Sequence, residues 1–514
     1  MSARGLLSAA PRVWLRNAFE RPYDSAVAAA RTCYSPRVVP PEEVTEAQRA
    51  SIGPLTFDAG HHTVYQHAHF EFGLENVSRQ FVWSFLHAHP FYNSEQSSQR
   101  FVRLDQPRAH LPAGLAQEAR RVYTDAVLDA WNDYRRLTEL LRPDTHAILA
   151  RLRHLTARAS ERRRTRVARE AEKKAIEIAR YVIPLGALTS MVHTLSGLVL
   201  YRLHRMLRAG DTPEENAQVV AAMVDAVRRV DADFFDRVAA QPLPVADVLP
   251  TPTPRPDGDD AAKALDARLG RRTSLLVDYT PGAESTTAEA VRAVLGATAA
   301  DVSDDEALER ALDPSLNRTR LETLQLAMHT PLGRALHHPS YVFLKRLSHS
   351  ADSQDQRHRM VPASRPLMSW TDTQQPDFVT PPLIAANPRA HELFVAAMQR
   401  AWNTKNRLLD LGAPLEAALY VLPNAKALRF YESGNLLYLS HKWIMRTCFN
   451  AQEEIYRASM DELEQVRAVH PRLARHMGPP CVLRAGRITP TCTEGAHFCG
   501  VPVWHSFPDV VREL

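Results

Sequence analysis

The sequence has few cysteines and no long hydrophobic run. Five cysteines among 514 residues are too few for a disulfide scaffold. No stretch of about 18 uninterrupted apolar residues occurs, which excludes a conventional membrane-spanning helix. The opening segment MSARGLLSAAPRVWLRNAFE contains too short an apolar run for a signal peptide. We therefore expect a cytoplasmic protein.

The composition that remains is that of an ordinary globular protein. Hydrophobic residues make up 45% of the chain, charged residues 24% and aromatic residues 7%. The length exceeds the usual range of one domain and predicts two domains of roughly 200 to 250 residues each. The net charge of +5 suits a phosphate-bearing ligand and does not require nucleic acid.

Hydrophobic periodicity predicts an α+β fold that is mostly helical. Helical spacing covers Ala116 to Leu141 and Glu214 to Val238, and a strand-like segment lies near His69 to Val77. Six prolines between Gln241 and Asp260 disfavour regular structure and stiffen the chain. We expect a first domain at 1–240, a linker at 241–270, a second domain at 271–470 and a cysteine-containing tail at 471–514.

The second half repeats motifs of the first half in the same order. The three matched pairs are SLLVDYTP from Ser274 with RTCYSP from Arg31, HTPLGRALHHPSYVF from His329 with HHTVYQHAHFEF from His61, and ALYVLPNAKALRFYES from Ala418 with ARYVIPLGALTSMVHT from Ala179. This order predicts two fused, diverged copies of one domain.

Four motifs of the first half resemble those of one enzyme family. They are AARTCYSP from Ala29, GHHTVYQHAHFEF from Gly60, VSRQF from Val77 and HAHPFYNSEQSSQRF from His87. They are similar to the early segment, the G-H-x-T element, the S-R element and the signature R-H-R-x-x-S-x-N-x-x-S-x-R-Y of flavin-dependent thymidylate synthases. The resemblance implies two such domains in one chain.

The signature of the first half is incomplete. An ungapped alignment retains His89, Ser98 and Arg100, whereas a one-residue insertion near Ser97 would align Glu95-Gln96-Ser97 with the family's E-x-S. Ala88 and Pro90 replace the two arginines of R-H-R. Neither side chain can supply the charged, bidentate donors that a guanidinium offers to phosphates.

The two halves have lost different parts of the family pattern. In the first half Arg180 fits the family arginine that binds the nucleotide phosphate, while Ser196 and Leu198 replace an asparagine and an arginine. In the second half Leu419 replaces the phosphate arginine, while Asn435 and Arg446 match the flavin-binding asparagine and the pyrimidine-binding arginine. Because family sites lie between subunits of a homotetramer, we predict composite sites in a dimer of fused chains.

The resemblance implies a role for each matched residue. Arg446 and Arg180 are expected to be catalytic, with Arg446 stabilising negative charge on the pyrimidine. The expected nucleotide ligands are Gln96, Ser98, Arg100 and Arg180, and the expected flavin contacts are His61, Thr63, His89 and Asn435. Taken without the family, the histidines from His61 to His69 are equally typical of a polar helix-to-strand junction.

Two further segments have simpler structural interpretations. KRLSHSADSQDQRHR, from Lys345 to Arg359, keeps Ser350 and Arg357 in register with the signature, and otherwise fits a polar structural helix. The basic segment from Arg151 to Ala175 could bind nucleic acid. Its interspersed glutamates and lack of aromatic residues favour a solvated helix face.

The C-terminal tail holds a cysteine cluster of its own. Cys481, Cys492 and Cys499 lie in a segment rich in glycine and proline, where a metal can supply order that a core cannot. With Cys448 or His497 as a fourth ligand they would form a tetrahedral zinc site. Unligated structural cysteines and an iron–sulfur cluster are the alternatives.

The resemblance implies conversion of dUMP to dTMP. Methylenetetrahydrofolate would donate the carbon, FAD would carry the reducing hydride and NADPH would recharge it. Two alternatives stay open, a relative that acts on another pyrimidine nucleotide and a non-catalytic nucleotide-binding protein. The fold alone does not separate them.

Overall fold

The chain folds into two halves of the same topology. The computed structural model describes residues 10–89, 91–100, 102–238, 241–249, 257–322 and 324–514. Its strands are β1 (Arg12–Ala18), β2 (His69–Ser78), β3 (Tyr92–Gln96), β4 (Leu188–Ser196), β5 (Ser274–Tyr279), β6 (Ser340–Ser348), β7 (Ala363–Ser364) and β8 (Ala427–Asn435). They form two four-stranded antiparallel sheets, ordered β1-β2-β4-β3 and β5-β6-β8-β7. The predicted repeat is confirmed.

Helices surround both sheets, as the sequence predicts for a mostly helical α+β fold. The first half contains α1 (Pro22–Thr32), α2 (Glu46–Asp58), α3 (Arg79–His87), α4 (Gln117–Leu152), α5 (Glu161–Ala179), α6 (Gly197–Arg205), α7 (Pro213–Arg228) and α8 (Asp233–Asp236). The connecting segment contains α9 (Val245–Val248) and α10 (Gly258–Leu269). The second half contains α11 (Ala283–Leu295), α12 (Asp304–Leu312), α13 (Pro331–Arg334), α14 (His349–Asp355), α15 (Pro382–Ala386), α16 (Pro388–Asp410), α17 (Leu415–Leu419), α18 (Leu436–Arg446), α19 (Glu453–Val469), α20 (Pro471–Ala474) and α21 (Pro480–Arg484). Among the described residues no helix is both long and apolar enough to cross a bilayer.

The central strand of each sheet leads directly into a capped helix. Ser78 ends β2, and its Oγ accepts a hydrogen bond of 2.8 Å from Phe81 N at the start of α3. Ser348 ends β6 in the same way, and its Oγ accepts a hydrogen bond of 3.0 Å from Ala351 N at the start of α14. Serine is a favoured N-cap because its oxygen satisfies a free backbone amide. The two caps fix equivalent ends of the two sheets.

The halves pack against each other about a pseudo-two-fold axis. Leu185 N donates to Leu422 O and Asn424 N donates to Ile183 O, each at 2.8 Å. This reciprocal pattern is that of an isologous interface. The largest core cluster contains buried side chains of both halves, including Trp131 from α4 and Trp402 from α16. The halves therefore share a core cluster at their interface, and each half also has a core cluster of its own.

Two sequence expectations need correction. Ser274 begins strand β5, whereas the segment at Arg31 ends helix α1, so β5 corresponds to β1 and that part of the proposed repeat was wrong. The basic segment is two helices, because α4 ends at Leu152 and α5 begins at Glu161.

The expected linker, 241–270, contains the helices α9 and α10. Helix α10 packs on the second sheet, where Arg429 Nε donates to Asp266 Oδ1 at 2.6 Å. The proline-rich positions 250–256 lie outside the described residues.

Candidate functional site

Arg180 lies at the centre of the interface, where α5 ends in a 3₁₀ turn over Arg180–Val182. Its side chain is buried, and its Nη2 donates to Gln452 Oε1 of the second half at 3.2 Å. Within the described chain it forms no ion pair, and its buried Nε has no hydrogen-bond partner. Burial lowers its pKa. A buried guanidinium without a carboxylate is costly, and an anionic ligand would compensate it.

Arg100 joins the two halves a short distance away. Its Nε donates to Glu177 Oε1 at 2.6 Å, its Nη1 to Gln354 Oε1 at 3.3 Å and its Nη2 to Asn450 O at 3.0 Å. Burial raises the pKa of Glu177, but the charges of Lys174, Arg100 and Arg180 outweigh it and hold the pKa at about 2. Glu177 is therefore ionised and fixes Arg100 in place.

Arg446 reaches the same place from the end of α18. Its Nε donates to His358 Nε2 at 2.8 Å and its Nη2 to the Gln354 carbonyl at 3.3 Å. Burial lowers its pKa, the charge of Asp355 opposes this, and the charges of Arg100 and Arg357 lower it further. Gln354 thus contacts Arg100 with its side chain and Arg446 with its backbone. The predicted meeting of first-half and second-half arginines is present in the structure.

The cluster carries more positive than negative charge. Arg79 is buried beside it, and burial together with the charge of Arg180 lowers its pKa to about 10. Its Nη1 donates to Gln96 Oε1 at 3.3 Å, and its Nε lacks a partner, as does Gln99 Nε2. Buried polar groups without partners are uncommon in native proteins. Together these donors are suited to a ligand with several anionic oxygens.

A polar frame supports the arginines. Glu454 Oε2 accepts from Ser348 Oγ and from the Tyr181 hydroxyl, both at 2.7 Å, and Gln452 Nε2 donates to the same hydroxyl at 2.5 Å. Burial raises the pKa of Glu454. The frame connects β6 and α19 of the second half to the Arg180 turn of the first half. It sets the position of Gln452, the partner of Arg180.

Two cavities open beside these residues. One of about 730 Å³ is lined by Tyr181, Gln452 and Glu454. The other, of about 1060 Å³, is lined by Arg100, Asn450 and the basic face of α5. Lys174 and Glu177 line both. The volumes are in the range of small-molecule sites.

The tripeptide Arg357-His358-Arg359 is the part of the site that our sequence analysis missed. It has the R-H-R order of the family signature and directly follows α14. Arg357 Nη2 donates to Ser94 O at 3.3 Å and Arg359 Nη1 to Asn93 Oδ1 at 2.9 Å. The second half therefore places an R-H-R against the first-half strand that leads to Ser98 and Arg100. Matching the tripeptide itself, instead of counting from Ser350, would have identified it.

The other predicted nucleotide ligands lie on the segment that leads to Arg100. Gln96 ends β3 and contacts Arg79 as described, and Ser98 Oγ accepts from Arg100 N at 3.2 Å. Ser98 is half-buried. Both residues lie beside the arginine cluster.

The predicted flavin residues lie elsewhere. His61 and Thr63 are exposed near the start of β2, where His69 pairs with Ser196, whereas Arg79 follows the opposite end of that strand. Asn435 caps α18, its Oδ1 accepting from Tyr438 N at 3.2 Å and its Nδ2 lying 3.0 Å from His337 Nδ1. It is separated from Arg446 by the length of that helix, about 16 Å at 1.5 Å per residue.

His89 is part of the first-half core. Its Nε2 lies 3.4 Å from His193 Nε2, and its ring packs on Phe85 and Tyr92. Burial lowers its pKa to about 4, so the ring is neutral near pH 7. In this position the side chain points into packed aromatic residues and is 8% exposed.

The four C-terminal cysteines gather in the folded tail. Burial, together with the proximity of Cys448, Cys492 and Cys499, raises the pKa of Cys481 to about 12. Cys481 and Cys499 pack on the apolar cluster around Phe449. Among the described residues, Glu309, Asp313 and His476 form a group whose potential metal-ligand atoms all lie within 4.8 Å of one another. No three of the described cysteine thiols meet this criterion.

Comparison with known proteins agrees with this architecture. The family profile described as "Thymidylate synthase complementing protein" matches residues 15–231 and again 275–472. A flavin-dependent thymidylate synthase of Geobacter sulfurreducens is 30% identical over 228 residues, covering 44% of this chain and 92% of that protein. Those of Sulfurisphaera tokodaii and Saccharolobus solfataricus are 37% and 35% identical, each covering 29% of this chain and 58% and 57% of the relative.

Among solved structures, a UMP/dUMP methylase of Streptomyces cacaoi bound with 5-Br dUMP matches with a TM-score of 0.33 and 17% identity. The match covers 45% of this chain and 99% of that one. Since the family profile matches once in each half and spans most of the chain, the protein belongs to the thymidylate synthase complementing protein family, with one family domain in each half.

Proposed function

We propose that this chain is a flavin-dependent thymidylate synthase whose nucleotide site is shared between its two halves. It would convert dUMP to dTMP with methylenetetrahydrofolate as carbon donor and FAD and NADPH as reductants. The observation that supports this most is the convergence of Arg100 and Arg180 from the first half with Arg446 from the second. Two of the three, Arg180 and Arg446, have no carboxylate partner in the described chain.

The arginines divide the binding of the nucleotide between them. Arg180 and Arg100 would hold the phosphate, because guanidinium groups match its oxygens in charge and geometry. Glu177 keeps Arg100 oriented, and Gln354 spaces Arg100 from Arg446. Arg446 would stabilise negative charge that develops on the pyrimidine ring. Burial of the cluster limits water and strengthens each of these interactions.

Flavin, when bound, would supply the reducing hydride. His61 and Thr63 are exposed polar groups at the open end of the first sheet, and Asn435 and His337 form the corresponding group in the second. Such surface groups suit a cofactor that is shared with a second chain. This is the reason for proposing a homodimer of fused chains that mimics a tetramer of single domains.

We also propose that Cys448, Cys481, Cys492 and Cys499 bind zinc. The support is their gathering at the end of α18 and in the irregular tail, which contains little regular structure beyond α20 and α21. Zinc would draw the thiolates together and order this segment. The zinc is structural in this proposal and takes no part in the reaction.

The visible absorption spectrum tests the proposed function. Purified protein reconstituted with FAD should show a bound flavin whose spectrum shifts when dUMP is added, and Arg446→Ala should remove the shift. Release of tritium from C5 of labelled dUMP would then distinguish a thymidylate synthase from an enzyme that acts on another pyrimidine nucleotide. Protein that binds no flavin at saturating FAD would contradict the proposal and leave a non-catalytic nucleotide-binding protein.

A further inference from the structure

The pseudo-two-fold axis between the halves generates two equivalent locations for a composite site. The polar frame occurs at both. Glu215 Oε2 accepts from Ser78 Oγ at 2.6 Å and from the Tyr420 hydroxyl at 2.7 Å, as Glu454 does from its own serine and tyrosine. We call the surroundings of Arg180 the first location and the surroundings of Leu419 the second location. The frame shows that the second location is folded in the same way as the first.

The binding residues of the first location are absent from the second. Corresponding positions follow from the aligned motifs at Ala179 and Ala418, from the N-cap serines Ser78 and Ser348, and from the pairing of β3 with β4 and of β7 with β8. The counterparts are Leu419 for Arg180, Leu207 for Arg446, Ser84 for Gln354 and Ser369 for Arg100. None of these four side chains carries a charge. A phosphate would find no guanidinium among them.

An internal carboxylate fills the second location instead. Asp211 is 2% exposed, and its carboxylate accepts hydrogen bonds from the backbone amides of Met368 and Ser369. Its own amide donates to Ser84 Oγ at 3.2 Å. Ser369 is the counterpart of Arg100. The Asp211 side chain therefore binds backbone amides at the position that corresponds to Arg100 in the first location.

The first location lacks such a carboxylate. The counterpart of Asp211 is Asn450, which is uncharged, and its Nδ2 donates away from the arginines to Glu494 Oε2 and to the His497 carbonyl, each at 2.9 Å. The first location therefore keeps its positive charge for a ligand. The second location has no such excess of positive charge.

The arginine near the second location is also neutralised. Arg365 donates to Asp352 through Nε and Nη2, both at 2.7 Å, in a buried bidentate pair. Trp83 Nε1 donates to the same carboxylate at 2.7 Å. These contacts pair the charge of Arg365 with a buried carboxylate, so the residue adds no unpaired positive charge to the second location.

From these contacts we infer that each chain binds one nucleotide, at the first location, and that the buried Asp211 side chain closes the second location by occupying the Met368 backbone amide. A dimer of chains would then hold two nucleotides, whereas a tetramer of identical single domains has four equivalent locations. The inference rests on the proposed function, because it assumes that the first location binds a nucleotide.

The test is the stoichiometry of dUMP binding to the flavin-loaded full-length chain, measured by isothermal titration calorimetry and checked by equilibrium dialysis. We expect one dUMP per chain for the wild type. Arg180→Leu, which copies the counterpart residue Leu419, should abolish saturable binding at the wild-type concentration range. Asp211→Asn, of the same shape, should leave one dUMP per chain with a Kd within about twofold of the wild type.

The outcomes separate the inference from the proposed function. Two dUMP per chain would overturn the inference and leave the proposed function standing. One dUMP per chain that survives Arg180→Leu but is lost in Asp211→Asn would place the site at the second location and also overturn it. No dUMP binding by flavin-loaded wild type would contradict the proposed function, and the inference would fall with it. Thermal melting of each variant establishes that it is folded.

Discussion

Replacing Arg180 by leucine should remove recognition of the phosphate and leave the rest of the nucleotide site intact. The guanidinium is buried, and its Nε is free of protein partners while its Nη2 contacts only Gln452 Oε1. A buried charge-assisted hydrogen bond contributes about 1.5 to 3 kcal/mol, so two bonds to a phosphate correspond to roughly 3 to 6 kcal/mol. At 1.4 kcal/mol for each factor of ten, the Kd for dUMP should rise at least about 100-fold.

The comparison of dUMP with deoxyuridine makes this prediction specific. Because deoxyuridine has no phosphate, its affinity, measured by competition, should change less than about threefold in Arg180→Leu. Arg446→Leu should weaken both ligands, since Arg446 is assigned to the pyrimidine. Arg407→Leu is the matched control, because Arg407 forms an exposed ion pair with Glu118, and exposed pairs contribute little. Equal losses for dUMP and deoxyuridine in Arg180→Leu would refute the assignment of Arg180 to the phosphate.

Four further predictions follow from the structure. Burial raises the pKa of Asp211 to about 7, so its contribution to stability is present at low pH and is lost as the pH rises from about 4 through 7. Between pH 5 and pH 8 the wild type should lose roughly 2 to 3 kcal/mol more unfolding free energy in urea than Asp211→Asn, and equal losses would contradict a buried aspartic acid. Purified protein should contain one zinc per chain by atomic emission, Cys492→Ser should lose it and Cys33→Ser should keep it, because Cys33 is exposed and remote in sequence from the tail. Iron in place of zinc, or no metal, would be the contrary result. Glu177→Gln should weaken dUMP binding about tenfold by releasing Arg100, and an unchanged Kd would show that Arg100 needs no such partner. In sedimentation the chain should be a dimer whose dissociation lowers FAD affinity, whereas a monomer that binds FAD equally well would contradict a flavin shared between chains.

The sequence was sufficient for the architecture and for the central arginines. Two copies of a mostly helical α+β domain follow from motif order, and the structure confirms them. The expected convergence of Arg100, Arg180 and Arg446 came from complementary losses in the two halves, because Arg180 is present where the second half has Leu419 and Asn435 is present where the first half has Ser196. Such complementarity is visible in a linear sequence without any knowledge of packing.

Other features depend on register and tertiary context. The R-H-R at Arg357 was missed because Ser350 and Arg357 were matched to the first serine and the last arginine of the signature, and this register hides the tripeptide that opens the motif. The match of Ser274 with Arg31 failed because short motifs of similar composition can lie in a strand or at a helix end. The role of Asp211 could not be predicted, because the amides that it contacts come from the other half of the chain.

The signature motif did not predict the burial of His89 either. Its side chain is enclosed by Phe85, Tyr92 and His193, which come from a helix and two strands. A signature position predicts that a histidine is present but not which way it faces. The flavin assignments therefore remain predictions, while those of the nucleotide site have geometric support.

A crystal structure of the chain with 5-bromo-dUMP tests the shared site most directly, because bromine marks the pyrimidine by its anomalous scattering. We predict one bromine peak per chain beside Arg446, with the phosphate between Arg100 and Arg180. Two peaks per chain related by the pseudo-two-fold axis, or a peak distant from these three arginines, would contradict a single nucleotide site built from both halves.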